Sequence, residues 1–213
     1  MIFYSAHGED GACGPHCADW IAAEGVVEWD TFKRLFAFLQ RNGDRKIPVI
    51  LNIWGGGDLK AAMSLGKIIR DHGLDVGVGT TVVADCVKAT DATCFALKRS
   101  GQPLDAKIDT TFVECDSACV VVLAGGVHRS LPPGAKVIIG PTRVYNRLAP
   151  NVSEEHQQGV RAFYGEQYRL YLTQMGLNTD IADIMDKNSA TGHATMLLRA
   201  AWPRLGIVTE AAP

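Results

Sequence analysis

Pro48-Val49-Ile50-Leu51-Asn52-Ile53-Trp54-Gly55-Gly56-Gly57-Asp58-Leu59 opens with an almost unbroken apolar run, stops on three glycines and restarts on an aspartate. An apolar run without polar alternation is the pattern of a strand covered on both faces. Asp58 has the short acceptor side chain that an N-cap uses. From Leu59 the apolar or small positions 59, 62, 63, 66 and 69 keep the spacing of one helical face until His72-Gly73 closes the element. The segment therefore predicts strand, glycine turn, helix. Glycines at such a turn reach dihedrals closed to other residues and let a ligand approach the backbone. Their N–H groups, beside a helix start, are placed to hold developing negative charge. The Gly-x-x-x-x-Gly-Lys-Ser/Thr pattern of a phosphate loop is absent. On the glycines alone, a tight turn with no ligand is the simpler reading.

The same grammar recurs on both sides. Upstream, 31–40 reads as an amphipathic helix that ends at Gly43. Downstream, 74–82 alternates like a strand, whereas 84–109 is polar, contains glycine and carries no clear signal. Thr111-Phe112-Val113-Glu114-Cys115 reads as a strand, and Asp116-Ser117 starts a very apolar helix that runs to about Gly126. Lys136-Val137-Ile138-Ile139-Gly140 is another buried strand, after the turn 131–134. A long helix follows residue 152, striped by Val160, Phe163, Tyr164, Gln167, Tyr168, Tyr171 and Met175, and a shorter one covers 179–187. Such a stripe belongs to a core or an oligomer contact. Strand–turn–helix units repeated in this way predict α/β layering with a largely parallel sheet.

The second turn of interest is Cys115-Asp116-Ser117-Ala118-Cys119. A serine where a strand gives way to a helix has its hydroxyl near the positive helix end, and the next amide, here that of Ala118, is placed as an oxyanion donor. The Gly-x-Ser-x-Gly pattern of the α/β-hydrolases is missing, and a plain helix cap also accounts for Ser117 taken alone.

Strand–Gly-Gly–helix followed by strand–Ser–helix resembles the ClpP/crotonase superfamily, and most of all its ClpP-like serine peptidase branch with its bacterial periplasmic relatives. The residues that carry the resemblance are Leu51-Asn52-Ile53-Trp54-Gly55-Gly56, Cys115-Asp116-Ser117-Ala118-Cys119, 123–129 and the closing Leu205-Gly206-Ile207-Val208. The segment 13–21 also resembles those relatives, so the likeness spans nearly the whole chain. It implies one ClpP-like domain over 1–213, built as a spiral of ββα units, with a Cys-containing N-terminal segment (1–30) and a helical region at oligomer contacts (153–190). It implies Ser117 as nucleophile, the amides of Gly55 or Gly56 and of Ala118 as oxyanion hole, and a peptide or protein as substrate or ligand. It also implies a homo-oligomer and no cofactor. Where the family places its histidine, the segment 137–141 has Gly140, and the acid position falls at Ala194.

A serine without a base is a poor nucleophile. Among possible substitutes, His193 lies beside the acid position and is the best candidate, whereas His128 sits at the far end of the Ser117 helix, about 16 Å away by helical rise. His156 belongs to the oligomer-contact region, and Lys136 and Lys187 read as surface charges. Three functions remain open at this point: a weak or degenerate serine hydrolase, a non-catalytic peptide- or protein-binding relative, and acyl-CoA chemistry of the crotonase kind. The serine embedded in Cys-x-Ser-x-Cys makes the last the least attractive.

Composition narrows the partners. The 213 residues carry 21 basic and 23 acidic side chains, a formal charge of −2, so no basic surplus exists to bind nucleic acid through phosphates. No apolar stretch approaches the roughly 18 residues of a membrane span. Six cysteines fall into three close pairs, Cys13/Cys17, Cys86/Cys94 and Cys115/Cys119, but six allow 15 connectivities, and buried free thiols are an equal alternative. A disulfide involving Cys13 or Cys17 goes with export to a periplasmic or similar oxidising compartment. The N-terminus shows no signal peptide. Cys13, His16 and Cys17 form a single soft-ligand cluster where zinc usually wants two, so no metal is expected. Asn151-Val152-Ser153 matches a glycosylation sequon without meaning in a bacterial-looking protein.

Overall fold

The computed structural model describes residues 1–43, 45–144 and 153–209; the Asn151 and Val152 of the sequon lie outside them. Strand β1 (Ile2–His7) pairs antiparallel with β2 (Asp19–Glu24). Helix α1 (Thr31–Asn42) precedes β3 (Val49–Asn52), helix α2 (Leu59–Asp71) and β4 (Val76–Val78). Then come β5 (Thr80–Val83), α3 (Asp91–Lys98), β6 (Leu104–Asp109), β7 (Glu114–Cys115) and α4 (Ser117–Leu123). The chain continues through β8 (Arg129–Ser130), β9 (Lys136–Ile139), α5 (Glu154–Gln174), α6 (Asp180–Thr191) and β10 (Thr195–Leu197).

Seven strands form one sheet in the order β5-β6-β1-β2-β3-β4-β8, and a second sheet runs β10-β9-β7. Within the large sheet only β1–β2 and β5–β6 are antiparallel, so it is mostly parallel, as the recurring strand–turn–helix pattern predicts. Strand β2 shows why both faces are covered. Ile21 and Ala23 join the main core beneath α1, α2, α4 and α5, while Trp20 and Ala22 point into a smaller core with Tyr4, Leu104 and Val83. Alternation of two buried sets leaves no polar face.

The strand expected over 74–82 is two strands. The chain pairs with β3 as far as Val78, then leaves at Gly79 to run antiparallel to β6. A Cβ at residue 79 would sit 2.7 Å from the Ile108 side chain, so the crossing requires glycine. The stretch 84–109 holds α3 and β6, whose residues are mostly exposed and therefore lack apolar periodicity. The expected long helix is α5, but of its stripe only Tyr168, Tyr171 and the capping Met175 are buried. Phe163 is 58% exposed, and no residue of 154–167 is buried.

The helix that carries Ser117 is fixed at its far end by contacts that no periodicity reveals. Gly125 N–H bonds back to Val122, leaving the Val121 carbonyl without a helical partner, and Tyr171 Oη donates to it at 2.6 Å. Burial pushes the Tyr171 phenol well above its usual range, so it stays a donor. Arg70 donates to the carbonyls of Ala124, Gly125 and Gly126 at 2.8–3.0 Å. Arg129, 5% exposed, donates to Gly126, Met175 and Gly206. Two guanidiniums thus neutralise the carbonyl ends of α4 and α5. Burial, with Arg70 alongside, pulls Arg129 down to about 10, so it remains charged at neutral pH.

Candidate active site around Ser117

Ser117 is the first helical residue of α4, and Asp116 caps it: one carboxylate oxygen accepts from the Cys119 amide at 3.1 Å. The Cys115–Cys119 disulfide spans the same turn, so strand end, cap and first helical turn are covalently tied around the serine. Both of its cysteines are fully buried. The other two bonds, Cys13–Cys17 and Cys86–Cys94, also join sequence neighbours, and no described cysteine is free. The alternatives of buried thiols and of long-range bridges from Cys115 or Cys119 to Cys86 or Cys94 are thereby set aside. With their sulfurs joined, Cys13 and Cys17 are also not thiolate ligands for a metal.

The glycine turn lies against this helix start. Gly57 approaches so closely that a Cβ on it would lie 3.1 Å from that of Ala118 and 2.7 Å from that of Val27. Gly55 and Gly56 both have positive φ, 75° and 74°, which glycine alone adopts without strain. The second carboxylate oxygen of Asp116 accepts from the Gly56 amide at 3.0 Å, so that expected donor is already engaged. The amides of Gly55 and Ala118 have no acceptor among the described residues. The glycine segment and the serine segment, far apart in sequence, are one site joined by Asp116. The sequence reading gave Asp116 only a helix start; its carboxylate, with two oxygens and two orphan amides in reach, was the available signal.

The Ser117 hydroxyl oxygen accepts from the Gly140 backbone N–H at 2.8 Å, and this is the only side-chain hydrogen bond of Ser117 among the described residues. Among the described residues, no histidine, lysine or carboxylate accepts its proton. A Cβ built on Gly140 would meet just one atom within 4 Å, that same oxygen at 3.7 Å. A side chain at residue 140 would therefore start beside the hydroxyl. Strands β9 and β10 pair antiparallel with Ile139 opposite Thr195, and continuing that register by one residue sets Ala194 opposite Gly140. The two positions that the sequence left without base and acid face each other beside Ser117.

The substitute bases are not joined to the serine. His193 is exposed and makes no hydrogen bond among the described residues. His128 pairs with Asp75 at 2.8 Å at the other end of α4. His156 is exposed near the start of α5, and Lys136 and Lys187 are exposed as expected. Trp54, at the start of the glycine turn, is 52% exposed, and Met196 and Leu198, on and after β10, are 60% and 74% exposed. No described helix is long and apolar enough to cross a membrane.

No known family profile matches the sequence, and no curated protein is similar to it. Solved structures do match. A ClpP1 variant from Listeria monocytogenes superposes with a TM-score of 0.51 over 88% of this chain and 86% of that one, at 13% identity. A membrane-bound stomatin-specific protease variant gives a TM-score of 0.48 at 14% identity, covering 88% and 75% of the two chains. At such identities the likeness speaks for architecture alone, and that architecture agrees with the order of the glycine and serine turns: the chain has the ClpP-like serine protease fold.

Proposed function

We propose that this is a degenerate serine-peptidase-fold protein that uses the Ser117 site to bind an extended peptide or protein segment rather than to cleave it. The observation that carries the reading is the Gly140 N–H donating to the Ser117 oxygen at the place where a base would stand. A hydroxyl with no acceptor for its proton keeps the nucleophilicity of an ordinary serine. The amides of Gly55 and Ala118 remain as two donors with no acceptor among the described residues, open to a carbonyl of a bound chain, and the exposed Trp54, next in sequence to Gly55, offers an apolar contact. Asp116, holding the Gly56 amide, adds a carboxylate next to where an oxyanion would form, which disfavours the charge that acyl transfer must develop. His193 as a stand-in base has no supporting contact.

Three disulfides fit an oxidising, periplasmic setting. The unburied first half of α5, with Val160 and Phe163 on its surface, fits packing against another copy of the chain, because an isolated helix of that length is marginal in water.

Titration with extended peptides, read by tryptophan fluorescence and by mass, tests the binding reading. The expected result is a saturable fluorescence change that is lost in Trp54→Phe, with the peptides recovered intact. Steady cleavage that disappears in Ser117→Ala, or no saturable change with any peptide, would overturn it.

A further inference from the structure

The loop 8–18 joins β1 to β2 at the end of the large sheet opposite the Ser117 site. The Cys13–Cys17 bond lies in this loop and, like Cys86–Cys94, joins two partly exposed cysteines. Pro15 and His16, between Cys13 and Cys17, are exposed, whereas Cys115 and Cys119 are buried at 0%. The bond closes a sequence separation of 4, against 8 for Cys86–Cys94, so it removes less freedom from the open chain. His16 has φ +57°, the only non-glycine residue with positive φ among the described residues. Holding an L-residue there costs energy that an open loop would not have to spend. The turn is held tightly by the Cys13 amide donating to the Cys17 carbonyl at 3.3 Å and the Cys17 amide donating to the Gly14 carbonyl at 3.0 Å.

We infer that Cys13–Cys17 is a redox-active disulfide that exchanges with thiols of small-peptide size. A thiolate attacks one of the two sulfurs, forms a mixed disulfide and releases the other as a thiolate. A second thiolate attacks the first thiol's sulfur in that mixed disulfide and displaces the remaining protein sulfur as a thiolate, so that two electrons pass from two thiols to the protein, giving RS–SR and, after uptake of two protons, the thiols of Cys13 and Cys17. Two features favour the open form. His16 is released from its left-handed conformation. The Asp19 carbonyl oxygen, 3.5 Å from both sulfurs, accepts from either thiol S–H once it exists.

Equilibration of the native protein in glutathione buffers, followed by alkylation and peptide mass mapping, reads the three bonds separately. Cys13 and Cys17 are expected to become alkylated at a reducing ratio at least tenfold milder than Cys86 and Cys94 need, about 30 mV for a two-electron couple. Cys115 and Cys119 are expected to stay unlabelled while the fold persists. His16→Gly, which fits the left-handed turn without strain, is expected to shift the Cys13–Cys17 equilibrium threefold or more toward the disulfide. Reduction of Cys13–Cys17 no easier than that of Cys86–Cys94, or an unchanged equilibrium in His16→Gly, would overturn the inference.

Discussion

The double variant Gly140→His/Ala194→Asp is expected to make Ser117 react with a fluorophosphonate at a rate on the order of 100-fold or more above the native chain, the span that a positioned general base contributes. The reason is local. Gly140 does not sit at a positive φ, so the backbone accepts a side chain there, and the only atom a Cβ meets is the Ser117 oxygen at 3.7 Å. Ala194 lies opposite residue 140 when the β9–β10 register is extended, so an aspartate there is placed to orient the new imidazole. The Gly140 N–H already holds the hydroxyl oxygen at 2.8 Å, which leaves the serine proton free to be taken. Labelling is read by intact mass, with Ser117→Ala in the same background as the blank. A folded double variant that stays unlabelled would mean that residues 140 and 194 are not the missing positions.

Gly125→Ala is expected to destabilise the chain by about 3 kcal/mol or more, the upper range for overpacking in a core. A Cβ on residue 125 would lie 2.3 Å from the Gly66 carbonyl oxygen and 2.5 Å from its Cα, so backbone rather than a movable side chain stands in the way. Helices α2 and α4 touch there through two glycines, and relieving the clash would also pull Val121 from the Tyr171 hydroxyl and the α4 carbonyls from Arg70. Gly134→Ala, where nothing lies within 4 Å of the added carbon, is the control and is expected to stay within about 0.5 kcal/mol of the native chain. Urea denaturation midpoints compare the two. Equal midpoints would show that α2 and α4 do not pack as closely as described.

The architecture was readable wherever burial imposes a pattern. The apolar run before Gly55, the capped helix from Leu59 and the strand before Gly140 all stand where periodicity places them, because each is covered by neighbours. Strands β1 and β2 lie in a segment read only for its cysteines, although β2 is buried along most of its length, and the pair α3 and β6 escaped because much of their surface is polar or exposed. The disulfides were paired in space as they were in spacing, but spacing alone left 15 connectivities. At the site, the type and order of residues brought Ser117, Gly55, Gly56 and Ala118 together. What sequence did not yield was the carboxylate of Asp116 on the Gly56 amide, and the backbone of Gly140 on the serine. Both are hydrogen bonds between segments remote in sequence, and no local periodicity encodes them.

The most direct test of a silent serine is fluorophosphonate exposure of the native protein across the neutral pH range, compared with Ser117→Ala by intact mass. A hydroxyl whose only hydrogen bond among the described residues comes from the Gly140 amide is expected to leave the native mass unchanged. A single adduct on the native chain, absent from Ser117→Ala, would show that a base reaches Ser117 and would contradict the proposal that this site binds without cleaving.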